Sequence, residues 1–148
     1  MTRTTVTRSI DAPLEVVFET ISDIRNFSRA IPDIVNVEFL SDTQTGVGAR
    51  FRETRLMRGR EASTVLEVTE YVDDERIRLV SDSHGTVWDS EFTVRQHAGA
   101  TELTLTMDAR PHAFLARLMV PITRGMVQKA LENDMDAVKR WCEDGPTQ

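Results

Sequence analysis

The chain has little of several features that mark specialised classes of protein. Its one cysteine, Cys142, cannot form a disulfide within the chain, and this favours a reducing compartment. The longest apolar stretch, residues 114–122, is interrupted by Arg117 and Pro121 and is too short to span a bilayer. The first residues lack the apolar core of a signal peptide. These absences predict a cytoplasmic protein with no membrane insertion.

Positive charge is also scarce. The chain carries 18 Lys and Arg against 24 Asp and Glu, a formal net charge of -6. Proteins that act on phosphate backbones usually show a basic excess, so nucleic acid is not expected as a partner, nor is a generic anionic membrane surface. A local basic patch remains compatible with this total. The three histidines show no metal-ligand spacing, so no metal or cofactor is predicted.

What the chain does contain suits one globular domain over residues 1–148. It is 40% hydrophobic and 28% charged, enough apolar material for a core. A β-branched segment from Arg3 to Ile10 predicts a first strand. Two short helices are predicted after it: one begins at Pro13, and the second runs from about Ile24 to Ala30.

Period-two alternation dominates from residue 34 to residue 108 and predicts about six further strands, which end at turns rich in glycine or charge. The remainder has helical periodicity, with Val127, Leu131, Met135, Val138 and Trp141 on one apolar stripe. Pro121 and Gly125 should kink or loosen the first half of this helix. The element series predicts an α+β protein.

This combination resembles the START-like, Bet v 1-like superfamily of helix-grip proteins (SRPBCC), and within it the polyketide cyclase/dehydrase-like branch. The most specific matches are Ile10–Pro13 with Val17 and Phe18, the segment Gly46–Gly48, and Leu131, Met135 and Val138. The resemblance covers the whole chain. It implies a curved antiparallel sheet of about seven strands wrapped around a long C-terminal helix, with a cavity between them. Relatives use such cavities to carry lipids, quinones, hormones or polyketides, and a minority are enzymes.

Strand parity independently assigns polar side chains to the inward face of the sheet. A solid core would not hold so many, because each buried polar group needs a partner, whereas small-molecule pockets combine apolar walls with a few polar groups. The first half of the last helix should roof the pocket. The predicted ligand-binding residues are Phe51, Glu53, Arg55, Thr64, Leu66, Leu79, Ser81, Trp88, Ser90, Leu105 and Met107 on strands, and Leu118, Met119, Ile122 and Met126 on the helix.

Alternatives stay open for these residues. Glu53 and Arg55 could form a structural ion pair, or a bulge could turn them outward. Trp88 could be an ordinary core residue, and the helical residues could serve plain packing.

Turns at one end of an antiparallel meander predict a basic cavity mouth. Alternate turns lie at the same end of such a sheet, which collects Arg58, Arg60, His84, Arg110 and His112. This mouth would steer an anionic ligand towards Arg55. The alternative is that these residues are ordinary solvated turn charges.

Three functions follow from these expectations. The first is binding of a hydrophobic small molecule, such as a lipid or polyketide, with an anionic group as one option. The second is a cyclase- or dehydratase-type enzyme in which Glu53, Arg55 and a mouth histidine act as acid, base and oxyanion groups. The third is a protein-partner module that acts through the exterior of the sheet. No catalytic set is assigned, and Cys142 is predicted to be structural.

Overall fold

The computed structural model describes residues 2–145, and its strands form one antiparallel sheet in the order β1-β7-β6-β5-β4-β3-β2. The elements in chain order are β1 (Thr2–Ile10), α1 (Leu14–Ser22), α2 (Ile24–Ala30), β2 (Ile34–Phe39), β3 (Arg50–Met57), β4 (Arg60–Val72), β5 (Arg76–Ser83), β6 (Thr86–His97), β7 (Ala100–Pro111), α3 (Phe114–Ile122) and α4 (Arg124–Asp144). The predicted α+β helix-grip fold, with two short helices after the first strand, is confirmed.

Tight hairpins hold the central strands in register. The turns at Arg58-Gly59, His84-Gly85 and Ala98-Gly99 each place two successive residues at positive φ. This is the backbone of a type I′ turn, whose twist matches that of the strands it joins. The hairpins therefore give long ladders, such as the twelve-residue pairing from Thr86↔Pro111 to His97↔Ala100.

The long C-terminal helix, α4, supplies the helical side of the core. Leu131, Met135, Val138 and Cys142 are buried along one face, as expected from an apolar stripe at helical spacing. The opposite side of α4 is tied to β1 by an ion pair in which Arg8 Nε lies 2.6 Å from Asp136 Oδ1.

The kink or loosening predicted near Pro121 and Gly125 is present: the helical region divides at Thr123 into α3 and α4. The start of α3 is fixed against the β5–β6 hairpin, where His112 N and Ala113 N donate to Gly85 O at 2.8 and 3.1 Å. A Cβ on Gly85 would lie 2.5 Å from Ala113 Cβ, so only glycine allows this approach. The hairpin thus sets where α3 begins.

Candidate functional site

A cavity of about 470 Å³ lies between the concave face of the sheet, the two short helices and α4. Its volume falls in the range of about 300–1,000 Å³ typical of small-molecule pockets. The structure places all eleven strand residues predicted as ligand-binding in its wall: Phe51, Glu53, Arg55, Thr64, Leu66, Leu79, Ser81, Trp88, Ser90, Leu105 and Met107. Alternation along the strands was sufficient to find this wall.

The expected helical roof is wrong. Leu118, Met119, Ile122 and Met126 do not line the cavity and are exposed on α3 and the first turn of α4. The reason is that α3 docks on the hairpin and on β7 through small residues. Of its nine residues only Ala116 and Val120 are buried, and the larger apolar side chains consequently face outward.

Sequence reasoning missed the residues that do complete the wall. Some lie on the same strands or at their ends: Ala49, Met57, Ala62, Ser63, Val68, Ile77, Ser83 and Phe92. The others come from α1 and α2, from the β2–β3 loop and from α4: Ile21, Ser22, Ile24, Phe27, Gln44, Thr45, Val127, Ala130, Leu131 and Asp134. Val127 and Leu131 belong to the predicted apolar stripe of α4 and could have been assigned from it. Asp134 carries no such signal, since an acidic residue on a charged helix usually faces water.

Three charged side chains form the polar end of the cavity, and we call them the carboxylate–arginine triad. Arg55 Nε lies 2.9 Å from Glu53 Oε2, and Arg55 Nη1 lies 2.9 Å from Asp134 Oδ1. The three side chains are only 11–21% exposed. The triad therefore joins β3 to α4 across the cavity and contains two carboxylates for one guanidinium, a formal charge of -1.

Burial of the Arg55 guanidinium disfavours its charged form, yet its pKa is raised, because Glu53 and Asp134 together outweigh the loss of water. Arg55 is thus held protonated, with two of its nitrogens already occupied by protein carboxylates. These two contacts use Nε and Nη1 of Arg55, and pairing of Arg55 with an anionic ligand stays a prediction. The structural ion pair of Glu53 and Arg55, one of the alternatives, is present and is extended by Asp134.

Hydroxyl groups lie deeper in the same wall. Ser81 is 4% exposed, and its Oγ is buried with no hydrogen-bond partner. It sits directly across from Trp88 in the β5–β6 ladder, while Ser90 is opposite Leu79. A buried hydroxyl without a partner is costly, so Ser81 presents an unused hydrogen-bonding group beside an aromatic side chain.

The predicted basic mouth is largely absent. Only His84 lines the cavity, while Arg58 and Arg60 are exposed and outside its wall. Arg110 Nη2 pairs with Asp89 Oδ2 at 3.1 Å, and His112 Nε2 lies 2.9 Å from Asp82 Oδ1. Arg110 and His112 therefore contact acidic residues of β6 and β5 instead of facing a ligand.

Other site chemistries find little support in the described residues. Within residues 2–145 no group of three His, Cys, Asp or Glu side chains could hold a metal ion. Burial raises the pKa of the Cys142 thiol, which contacts Thr20 Oγ1 at 3.5 Å, so this cysteine is a poor nucleophile. None of the helices in this part of the chain is long and apolar enough to cross a membrane.

Solved structures show the same fold around very different sequences. A START superfamily protein from Mycobacterium smegmatis superposes with a TM-score of 0.77 at 16% identity, over 96% of this chain and 97% of the other. The protein TTHA0849 from Thermus thermophilus gives 0.75 at 17% identity, over 94% and 95%. Ara h 8.0201 gives 0.75 at 11% identity, over 97% and 99%.

Among curated proteins no relative matches the sequence. The chain does match one protein family in sequence. The match covers residues 1–143, which include every strand of the sheet and nearly all of α4. Fold and sequence family therefore agree along the same length of chain. The chain belongs to the family described as polyketide cyclase / dehydrase and lipid transport.

Proposed function

We propose that this protein binds an apolar small molecule, of lipid or polyketide type, in the cavity between its sheet and α4. The observation that carries the proposal is an open space of about 470 Å³ in the middle of the domain, walled mainly by apolar side chains. A protein interior is normally packed without voids larger than a water molecule. An apolar space of this size gains favourable contacts when an apolar ligand displaces weakly held water.

The polar end of the cavity supports a ligand whose headgroup is neutral or cationic and donates hydrogen bonds. The carboxylate–arginine triad has an excess of negative charge, so an anionic headgroup placed beside it meets repulsion. An ammonium or hydroxyl group can donate to a remaining lone pair of Glu53 or Asp134. The predicted basic mouth does not offset this repulsion, because only His84 among its residues lines the cavity.

We retain no enzymatic function as a second candidate, because no observation favours one. The enzymatic alternative requires Glu53 and Arg55 as separate acid, base or oxyanion groups, whereas the structure pairs them with each other in an ion pair.

The test is a comparison of three ligands with the same twelve-carbon chain: dodecylamine, 1-dodecanol and dodecanoate, titrated below their micelle-forming concentrations by calorimetry at pH 7. We expect the amine and the alcohol to bind, and dodecanoate to bind at least about tenfold more weakly because of like-charge repulsion. Tightest binding of dodecanoate would refute the headgroup assignment and leave the cavity assignment intact.

Two variants with matched controls separate the cavity from other surfaces. Ser90→Leu places a larger apolar side chain in the wall and should abolish binding of all three ligands. Thr93→Leu, on the opposite face of the same strand, should leave binding unchanged. Binding that is equal in the two folded variants would overturn the cavity as the site.

Asp134→Asn leaves Arg55 with one carboxylate and removes the excess negative charge. We expect it to weaken dodecylamine and to strengthen dodecanoate, so that the preference for the amine falls by about tenfold. Asp136→Asn makes the same chemical change two residues away on α4, outside the cavity wall. An unchanged preference in Asp134→Asn would show that the triad does not select the headgroup.

A further inference from the structure

The charge of the chain is unevenly distributed, and one segment departs sharply from the acidic average. Residues 109–131 contain Arg110, Arg117, Arg124 and Lys129 but no aspartate or glutamate. This segment therefore carries +4 with histidine neutral. Since the whole chain carries -6, the remaining residues carry -10. A net charge calculated for the whole protein hides this local reversal.

The same segment exposes an apolar surface, which we call the α3 patch. Its six large side chains are 51–75% exposed: Phe114, Leu115, Leu118, Met119, Ile122 and Met126. They share one side of α3 and its junction with α4, because they recur at helical spacing. Large contiguous apolar surfaces on a folded domain mark interaction sites, whereas single exposed apolar residues need no explanation.

The orientation of α3 is the reverse of the usual one. A surface helix normally buries its larger apolar residues and exposes its polar ones. In α3 the buried residues are the small Ala116 and Val120, and the larger ones face away from the protein. Arg117 is exposed beside them, and Arg124 follows at the start of α4. An apolar helix face with cations and no acids in its own segment of the chain is typical of helices that lie in the interface of a membrane.

The α3 patch also lies near one end of the cavity. The start of α3 lies against Gly85 of the β5–β6 hairpin. Ser83 and His84, which come directly before Gly85 in sequence, line the cavity. Met57, on the β3–β4 hairpin at the same end of the sheet, is both half-exposed and part of the cavity wall.

From these observations we propose that the α3 patch docks the protein peripherally on an anionic phospholipid surface. Phe114, Leu118 and Ile122 would enter the boundary between headgroups and acyl chains, and Arg117, Arg124 and Lys129 would contact the anionic headgroups. The cations identify this occupant over a second copy of the chain. A symmetric pairing of two α3 patches would bring cations against cations, which disfavours it.

Docking of this kind is compatible with the absence of a membrane-spanning helix among the described residues. It differs from the expectation drawn from the net charge of the whole chain, because the relevant charge is that of the contacting surface. The proposal does not depend on which ligand the cavity holds.

The experiment is co-sedimentation of the full chain with sucrose-loaded vesicles, made either of phosphatidylcholine alone or of phosphatidylcholine and phosphatidylglycerol in equal amounts. We expect partitioning onto the anionic vesicles that is about tenfold stronger than onto the neutral ones, and that falls when salt is raised from about 0.1 to about 0.5 M. Equal partitioning onto both kinds of vesicle, or onto neither, would overturn the proposal.

A pair of double variants with the same change in net charge provides the control. Leu118→Asp with Ile122→Asp places two acids in the α3 patch, where the side chains are 54% and 73% exposed. Val35→Asp with Val47→Asp places two acids at similarly exposed positions, 50% and 61%, on β2 and the β2–β3 loop. The first variant should lose vesicle binding at least about tenfold, and the second should retain most of it. Equal losses of vesicle binding in the two double variants would show that binding depends on total charge, and would refute the α3 patch as the docking surface.

Light scattering over a range of protein concentrations tests whether a second copy of the chain, and not a membrane, covers the α3 patch. Self-association that the Leu118→Asp, Ile122→Asp variant abolishes, without vesicle binding by the unsubstituted chain, would assign the patch to a second copy and overturn the proposal. Dodecylamine binding by both double variants keeps this result separate from the function of the cavity, since neither pair lies in its wall.

Discussion

The two parts of the C-terminal helical region, α3 and α4, use apolar residues in opposite ways. In α4 the stripe that includes Met135 and Val138 is fully buried against the sheet. In α3 the equivalent large residues are exposed, and only small ones face the protein. The difference arises from contacts outside the helices: Arg8 and Ser9 O of β1 bind Asp136 and Lys139 of α4. By contrast, the start of α3 approaches a glycine hairpin, where Ala113 and Ala116 are the side chains next to Gly85.

An apolar stripe in the sequence of a helix therefore does not determine whether that side of the helix is buried or exposed. Periodicity identifies the side of the helix that avoids water, but the rest of the chain determines whether a protein surface is available to cover it. In α4 the curved sheet supplies this surface. In α3 the stripe is left uncovered, which is the basis of the proposed membrane contact.

Core truncation should give the largest contrast between the two helices. Met135→Ala removes a fully buried side chain from α4 and should lower the free energy of unfolding by about 3 kcal/mol, from lost burial and the space left behind. Leu118→Ala on α3 should change it by less than about 0.5 kcal/mol. Urea denaturation of both variants measures the difference. Similar losses in the two would mean that α3 is packed in solution.

Removal of one arginine from each region should give the next largest difference. Arg55→Met leaves Glu53 and Asp134 facing each other without a cation, at a cost of about 2 kcal/mol. Arg117→Met removes an exposed charge and should cost less than about 0.5 kcal/mol. Comparable unfolding midpoints for the two variants would contradict the bridging role of Arg55 between β3 and α4.

Two glycines with the same backbone angle separate the docking of α3 from turn strain. Gly85 and Gly59 both have φ +78° in equivalent hairpins, but only a Cβ on Gly85 meets Ala113. Substitution by alanine strains both turns alike. Gly85→Ala should therefore be less stable than Gly59→Ala by about 1 kcal/mol or more, the cost of overpacking. Equal thermal stabilities would place the start of α3 away from the hairpin.

The smallest expected effect is the pH dependence of the ion pair between α4 and β1. A hydrogen bond from Arg8 holds the pKa of Asp136 below its ordinary value of 3.8 in the folded protein. The pair therefore contributes stability above about pH 4, and loses it as the pH falls through the lower, folded pKa. Both partners are partly solvated, so Asp136→Asn should cost less than about 1 kcal/mol at pH 7.

That cost should shrink at pH 3, which lies below the ordinary carboxyl pKa of 3.8 that applies in the unfolded chain. Unfolding measured at both pH values for the two proteins checks this expectation. A constant difference between them would show that the side chain acts through packing and not through its charge.

Much of the fold and of the cavity wall was predictable from the sequence, for a physical reason. A strand that buries one face must alternate, so one correct parity for Ser81 or Ser90 assigns every other side chain on that strand. Arg55 illustrates what could not be predicted, because its second partner, Asp134, is 79 residues away in sequence. Arg110 and His112 were misplaced for the same reason: strand alternation alone does not reveal that Asp89 and Asp82 on the outer face lie within contact distance of them.

The ladder between β1 and β7 has a consequence for how the protein acquires this structure. Thr2 pairs with Ala109 and Ile10 with Thr101, whereas β3 to β7 are joined in sequence by short turns. Local hairpins close quickly, and contacts between distant parts of a chain close late. During synthesis β1 must therefore wait until β7 has emerged before the two can pair. We expect the protein to fold slowly for its size, with β1 among the last elements to reach its native position although it is synthesised before the rest of the sheet.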